Sequence, residues 1–418
     1  MDTPKNLTRN ILLGLFAGFV VGAIIHYQGF FTESLLAFVQ KYIFNLGGDV
    51  FLNLLKLIVV PLVFFSLVSG ISSLGSMASL RSITLKTILL YLATTAIAVS
   101  IALVVGSIVQ PGSGYVSNAT TTISSLPQGQ DFYKTVLNIF PTNIIQAMAN
   151  NQMLAIVFFS IIFGLALNKT KELTPGLIEF FEKLNTVFMQ LVIMIMKFAP
   201  IGVFCLIGRF VIADGLDIFK DVFVYVILLI GLLVFHASVI YSLILKTLAK
   251  VSPVQFFKQM KEAMLFAFST SSSAATIPVT LKTATNNLGI NKNVASFVIP
   301  VGATINMDGT AIMQGLATVF IAQISGVDLT LFQYIQIVLL AVATSIGTAA
   351  VPSAGMITLV IILQQFNLPL EGIAIILAVD RVLDMLRTAV NVSGDATVAC
   401  VVAASEGQLD KDIFNKDY

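Results

Sequence analysis

Near the end of the chain, six polar side chains interrupt an apolar run: Asp380, Arg381, Asp384, Arg387, Asn391 and Asp395. On a helix turning 100° per residue, Asp380, Asp384, Arg387, Asn391 and Asp395 share an arc of about 80°, with Arg381 and Thr388 just beyond one edge. The flanking runs 373–379 and 396–404 are almost wholly apolar. A charge at the centre of a membrane helix costs roughly 2.5–3.5 kcal/mol, so such a stripe must face protein or a cavity. An internal ion-pair ladder, with Asp384 and Arg387 one turn apart, would meet part of that cost. It leaves three carboxylates against two guanidiniums, and Asp308 adds to the surplus. Surplus negative charge in a dry site calls for a cation. A guanidinium is a planar fork matched to a carboxylate, which suits Arg387 to an acidic group. A carboxylate one turn earlier suits Asp384 to an ammonium. Together they describe an acidic amino acid.

Small and polar residues recur at what should be membrane depth, at 269–276, 306–310, 344–348 and 391–395. Thr270-Ser-Ser-Ser-Ala-Ala-Thr-Ile-Pro278 aligns without gaps on Thr344-Ser-Ile-Gly-Thr-Ala-Ala-Val-Pro352. Each is followed by an apolar stretch with Asn-x-x-Gly and an Asp: Asn306-Met-Asp-Gly-Thr310, then Asn391-Val-Ser-Gly-Asp395. Chance similarity in low-complexity apolar sequence is the plainer explanation, and agreement in both order and content weakens it. Paired interrupted helices in inverted repeats mark secondary transporters, whose sites lie at the repeat interface. A re-entrant hairpin fits each Thr-Ser segment, and helix N-terminal amides at its tip suit a carboxylate. Asn306, Asp308, Asn391 and Asp395, with freed carbonyls, offer hard oxygen ligands suited to Na⁺.

These residues need a membrane scaffold. Of 418 residues, 57% are hydrophobic and 11% charged, and the mean hydropathy is +0.95. That leaves too little polar surface for a water-soluble particle. The net charge of +2 gives no hint of a nucleic-acid partner. Apolar spans are expected near 11–27, 40–70, 83–110, 135–168, 187–212 and 219–247. Pro61 and Pro200 are expected at kinks. Clustered Lys and Arg place the N-terminus in the cytoplasm and the loop 110–134 outside. The first span reads as retained rather than as a cleaved signal. The chain divides into a scaffold, 1–252, a working part, 253–405, and a cytoplasmic tail, 406–418. Cys205 and Cys400 read as buried free thiols, and His26 and His236 share no motif. No phosphate loop and no catalytic dyad is visible, which argues against an enzyme.

Ser271-Ser-Ser, Asn306-Met-Asp-Gly-Thr310, Val351-Pro352 and Asp384-x-x-Arg387-Thr-x-x-Asn391-Val-x-Gly-Asp395 resemble the dicarboxylate/amino acid:cation symporter family. Leu55-Lys-Leu-Ile-Val-Val-Pro-Leu-Val-Phe64 and Ala199-Pro-Ile-Gly-Val-Phe204 extend the likeness over nearly the whole chain. The resemblance implies an all-α membrane protein with eight transmembrane helices and two re-entrant helical hairpins in inverted repeats. It implies a homotrimer in the lipid of the cell (inner) membrane, both termini cytoplasmic. It also implies an elevator-type mechanism, in which the third and sixth helices move with the transport domain. Position by position, Ser271, Ser272 and Ser273 form the first hairpin tip. Thr310, Asp384, Arg387, Thr388 and Asn391 contact substrate from two broken helices, and Val351 and Gly355 belong to the second hairpin. Gly302, Asn306, Asn391 and Asp395 match one Na⁺ site. Thr304, Met307, Ser345, Ile346 and Thr348 match a second. Tyr91, Thr94, Thr95, Asn306 and Asp308 match a third, though plain helix packing also explains the first three of these.

The resemblance thus implies sodium-coupled symport of L-aspartate or L-glutamate, with Na⁺ co-bound and no organic cofactor. The chain departs from it in places. Archaeal members carry Arg where Ser271 stands; animal members carry an Arg where Met385 stands. Arg381 is the candidate stand-in, and Asp380 and Arg381 are expected to support the site from behind. Animal members carry a protonatable Glu at the place of Gln314, which cannot take a proton. The alternatives are a proton-coupled glutamate or C4-dicarboxylate carrier of the same family, or an anion-leaking channel. Opposite fixed charges in one stripe suit a zwitterion better than a channel filter.

Overall fold

Long runs of Leu, Ile, Val and Phe can satisfy their backbone in hydrocarbon only as helices. The computed structural model covers residues 7–28, 32–72, 81–113, 137, 139–214, 218–346 and 354–416, and among these the chain is all-helical. An isolated antiparallel bridge, Ile290 to Leu409, is the one departure. Leu7–Gln28 comes first. Glu33–Val39 runs through a π-helical turn, Gln40–Asn45, into Leu46–Ser72. Arg81–Val109 is the third span, and Met153–Lys169 follows the short helix Ile144–Ala149. The expected span 135–168 is thus divided, because Asn151 turns the chain at φ 54°. The expected span 187–212 is a bent pair that starts earlier, at Pro175–Met196, and continues as Ala199–Asp214. Its halves meet at 51°, with Pro200 in the first turn of the second, where a missing N–H costs nothing. Pro61 lies within the helix Leu46–Ser72.

The sixth span, Ile218–Phe235, widens into a π-helical turn at His236–Tyr241 and ends with another at Leu245–Ala249. Among the described residues five helices are long and apolar enough to cross a membrane, and six if the bent pair is one span. The chain is a multi-pass membrane protein.

Beyond residue 252 the helices shorten. Pro253–Thr270 and Ser273–Asn286 form a hairpin whose two-residue turn puts Ser271 at φ 50° and uses Ser272 as an N-cap on the Ala275 amide. Lys292–Ile305 and Asp308–Ile324 are separated by Asn306 and Met307, so the expected break at 306–310 is present. Leu331–Ser345 opens on a capping box between Thr330 and Gln333, and Ala354–Gln365 follows. The second tip, with Thr348 and Val351, lies outside the described residues.

The last helix, Gly372–Ser405, corrects one expectation. It runs unbroken through 391–395. Ser393 and Thr397 return their hydroxyls to the carbonyls of Ala389 and Ser393, both at 2.8 Å. Small polar residues here supply side chains to one face and free no backbone.

The third span packs on Asp308–Ile324, and the first hairpin and the sixth span pack on the last helix. The tail is docked rather than free. Asp410 caps Lys411–Phe414 and donates its amide to the Gly289 carbonyl at 2.8 Å. Gln259 and Gln255 of the first hairpin donate to the carbonyls of Phe414 at 2.6 Å and Lys416 at 2.8 Å. The Phe414 ring is fully buried in the core that this hairpin shares with the last helix.

Candidate functional site

Arg387 is wholly buried, and it is held within its own helix. Its Nη2 donates to Asp384 Oδ1 at 2.8 Å, one turn away, and its Nη1 to Asp380 Oδ1 at 2.7 Å, two turns away. Asp380, expected to act from behind, therefore bonds the guanidinium directly. The side chain of Arg381 lies outside the described residues. Two carboxylates on one guanidinium leave this triad with a net charge of −1. Arg387 Nε has no hydrogen-bond partner among the described residues, and neither does the buried hydroxyl of Ser271 at the first hairpin tip. Buried polar atoms are rarely left unpaired, so two such atoms need an explanation.

Thr388 turns its hydroxyl back to the Asp384 carbonyl at 2.7 Å. Thr310 faces the same region from the broken pair, with its Oγ1 3.5 Å from Asn391 Nδ2. Gly355 closes the group from the second pair of helices. A Cβ there would meet Thr310 Cγ2 at 2.8 Å and Met313 Cε at 3.0 Å, with Arg387 Nη2 at 3.8 Å. Gln314 donates to Thr358, which donates to the Gly355 carbonyl at 2.9 Å, so a group that does not titrate ties these helices together. Ser273 is buried at the hairpin tip.

One turn further along the last helix the polar atoms change character. Asn306 Nδ2 donates to Asp395 Oδ1 at 3.0 Å and to the Asn391 carbonyl at 3.3 Å. Asn391 Oδ1 in turn accepts from the Gly309 amide at 2.7 Å, across the helix break. A Cβ on Gly302 would lie 2.4 Å from Tyr91 Oη and 2.5 Å from Asp395 Oδ1, so only glycine fits between them. Gly302, Asn306, Asn391 and Asp395 are thus brought together.

Asp308, at the start of its half-helix, is fully buried. Thr95 donates to its Oδ1 at 2.6 Å, with Thr94 Oγ1 at 3.4 Å from the same atom and 3.5 Å from Asn306 Oδ1. Tyr91 instead donates to the Val298 carbonyl at 3.0 Å. The remaining set is assembled only in part. Ser345 donates to the Ile305 carbonyl at 2.5 Å, and Met307 Sδ lies 3.5 Å from Asn391 Nδ2. Ile346 follows at the end of its helix, Thr304 is exposed and bonded to Val301, and Thr348 is outside the described residues.

Three side chains at the site escaped the sequence reading. Tyr225, on the sixth span, is fully buried within electrostatic range of Arg387 and Asp380, and its hydroxyl has no partner among the described residues. His236 and Tyr241, on the π-helical turn, both reach Asp308 Oδ2. The lone signal for His236 was a basic residue in an apolar span.

Comparison with known proteins bears on this arrangement. The model of the sodium:dicarboxylate symporter family matches residues 7–405. The chain is 35% identical over 414 residues to the proton/sodium-glutamate symport protein of Geobacillus stearothermophilus, covering 97% of this chain and 96% of that one. It is 33% identical to the proton/glutamate-aspartate symporter of Escherichia coli, covering 97% and 94%. It is also 33% identical to excitatory amino acid transporter 2 of the mouse, covering 98% and 82%. All three are transporters and none is an enzyme. With the family model spanning both the helical scaffold and every part of the polar cluster, the chain belongs to the sodium:dicarboxylate symporter family of membrane transporters.

Proposed function

We propose that this protein is a secondary transporter carrying L-aspartate or L-glutamate together with Na⁺. The observation that carries the reading is the buried Asp380–Arg387–Asp384 triad, with a guanidinium nitrogen that has no partner among the described residues, beside a cluster of hard oxygens. Without substrate, Arg387 is neutralised by its own helix. A substrate α-ammonium would take Asp384, and a substrate carboxylate would take the Arg387 edge that Asp384 gives up. One internal ion pair is thereby exchanged for two pairs to the solute, so charge is never left bare in low dielectric. Ser271 and the amides at the first hairpin tip would hold the second carboxylate. Thr310, Thr388 and Asn391 would fix orientation, and Val351 and Gly355 would close the pocket from the second hairpin.

Na⁺ would balance the carboxylates of Asp395 and Asp308. Their neighbours are amide, hydroxyl and carbonyl oxygens, the ligand type that hard cations take. Arg387 orders Asp384, while Asn391 touches both the Gly309 amide and the Thr310 hydroxyl, so cation and substrate share a side chain through which binding can be coupled. The relatives named for proton coupling give the competing reading.

The family's architecture completes the proposal: eight membrane helices, two re-entrant hairpins, a homotrimer in the cell membrane with cytoplasmic termini, and an elevator. Residues 253–405, with the third and sixth spans, would slide against the rest of 1–252. The packing of the third span on Asp308–Ile324, and of the sixth on the last helix, supports that division. The test is uptake of radiolabelled aspartate and glutamate into proteoliposomes under imposed ion gradients. Uptake should follow an inward Na⁺ gradient. Uptake that ignores Na⁺ and follows a proton gradient would overturn the coupling.

A further inference from the structure

The two oxygens of Asp308 are held by different helices. Oδ1 faces the third span, where Thr95 and Thr94 approach it and Asn306 Oδ1 lies nearby. Oδ2 faces the sixth span, with Tyr241 Oη donating at 2.8 Å and His236 Nε2 at 3.3 Å. His236 and Tyr241 are buried, and their rings meet edge to face at 4.7 Å. They are the first and last residues of the π-helical turn His236–Tyr241. Such turns insert one residue into a helix and recur at functional sites. Here the wider turn lets residues five apart aim at one carboxylate oxygen.

A buried His and Tyr on one carboxylate could be packing alone. Three features favour more. The turn departs from regular helix geometry, and in doing so it aims both side chains at one oxygen. Tyr241 Oη also sits 3.4 Å from the Val390 carbonyl, next to Asn391. And the clamped oxygen is the one turned away from Thr94, Thr95 and Asn306.

We propose that His236 and Tyr241 are positioning residues that set the Na⁺ affinity of the Asp308 site. They hold Oδ2 so that Oδ1 stays presented among the third-span oxygens. The inference rests on the reading of Asp308 as a Na⁺ ligand. Partners that orient a ligand from behind typically alter metal affinity about 10–100-fold.

The test is aspartate binding to the purified full-length protein, titrated with Na⁺, and repeated at saturating Na⁺. Tyr241→Phe removes one hydroxyl and keeps the ring. His236→Ala removes the second donor, and His236→Gln returns an N–H near the Nε2 position. Tyr241→Phe and His236→Ala should each raise the Na⁺ midpoint about tenfold, leave aspartate Kd at saturating Na⁺ within twofold, and be rescued at position 236 by Gln. A purely structural role would lower Tm and leave the midpoint unmoved, and that outcome overturns the inference. A Tyr241→Phe protein that folds with the wild-type midpoint overturns it as well, even if His236→Ala does not fold. If wild-type binding ignores Na⁺ altogether, the Na⁺ reading itself has failed, and the inference with it.

Discussion

Arg387 and Asp380 meet at 2.7 Å across two turns of one helix, with Asp384 bonded to the same guanidinium from the turn between. The guanidinium is thus paired twice over within its own helix, and under the proposed function Asp384 is the partner that a solute replaces. Replacing Arg387 leaves two buried carboxylates without their partner, a loss of about 3–5 kcal/mol where it has been measured. Arg387→Cys should abolish aspartate and glutamate uptake and admit neutral amino acids. Aspartate affinity retained in a radioligand assay would sink the role given to Arg387.

Asp384 should matter for the amine alone. Hydrogen bonds to charged groups contribute about 1.5–3 kcal/mol, so Asp384→Asn should weaken aspartate binding about 10–100-fold. Succinate has both carboxylates and no amine, and should lose much less. Equal losses for the two in competition binding would mean that Asp384 only holds Arg387.

Gly302 leaves no room for a methyl between Tyr91 and Asp395. Neither neighbour is a free-swinging chain end, since Tyr91 is bonded to Val298 and Asp395 to Asn306. Gly302→Ala should therefore raise the Na⁺ concentration for half-maximal aspartate uptake about tenfold or more. An unchanged midpoint in a normally folded variant would place the cation elsewhere.

Gly355 stands against Thr310 and the flexible end of Met313. Gly355→Ala should narrow the pocket and penalise glutamate more than aspartate. One methylene is worth ~1–3 kcal/mol in such discrimination, so the ratio of their KM values should shift about tenfold. A ratio that stays put would separate Gly355 from the substrate side chain.

Glu406 lies just past the last helix, where hydrogen bonds from Lys86, at 2.6 Å, and Ser82, at 2.7 Å, hold its carboxylate below the usual range. The folded form thus binds this proton less readily than the unfolded one. The contribution to stability is present above the ordinary carboxylate pKa and is lost as pH falls through the lowered value. Glu406→Gln should lower Tm slightly at pH 7 and not at all below that value. A Tm difference that is the same at both pH values would assign the effect to something other than charge.

The chemistry of the site was legible where it lay on one helix. The i, i+3 spacing of Asp384 and Arg387 and the Asn391–Asp395 run fix a face by periodicity alone, and the break at Asn306 showed as small and polar residues inside an apolar run. The same signal misled at 391–395, because Ser393 and Thr397 satisfy themselves on the backbone of an intact helix. The pairing of Asp380 with Arg387 depends on how a long side chain folds back along its helix. His236 escaped because its partner lies 72 residues away. Nothing in the tail's polar composition marked Phe414 as a core residue.

That docked tail bears on how the protein is made. The turn at the base of the first hairpin takes its hydrogen bonds from Gly289 and Asn291 to residues 408–410, and its core from Phe414. Nothing can fill those positions until the ribosome has delivered Phe414. The serines of the hairpin tip, Ser271–Ser273, are therefore translated before the residues that brace the base of their hairpin. A chain lacking residues 408–416 would lack every one of these braces.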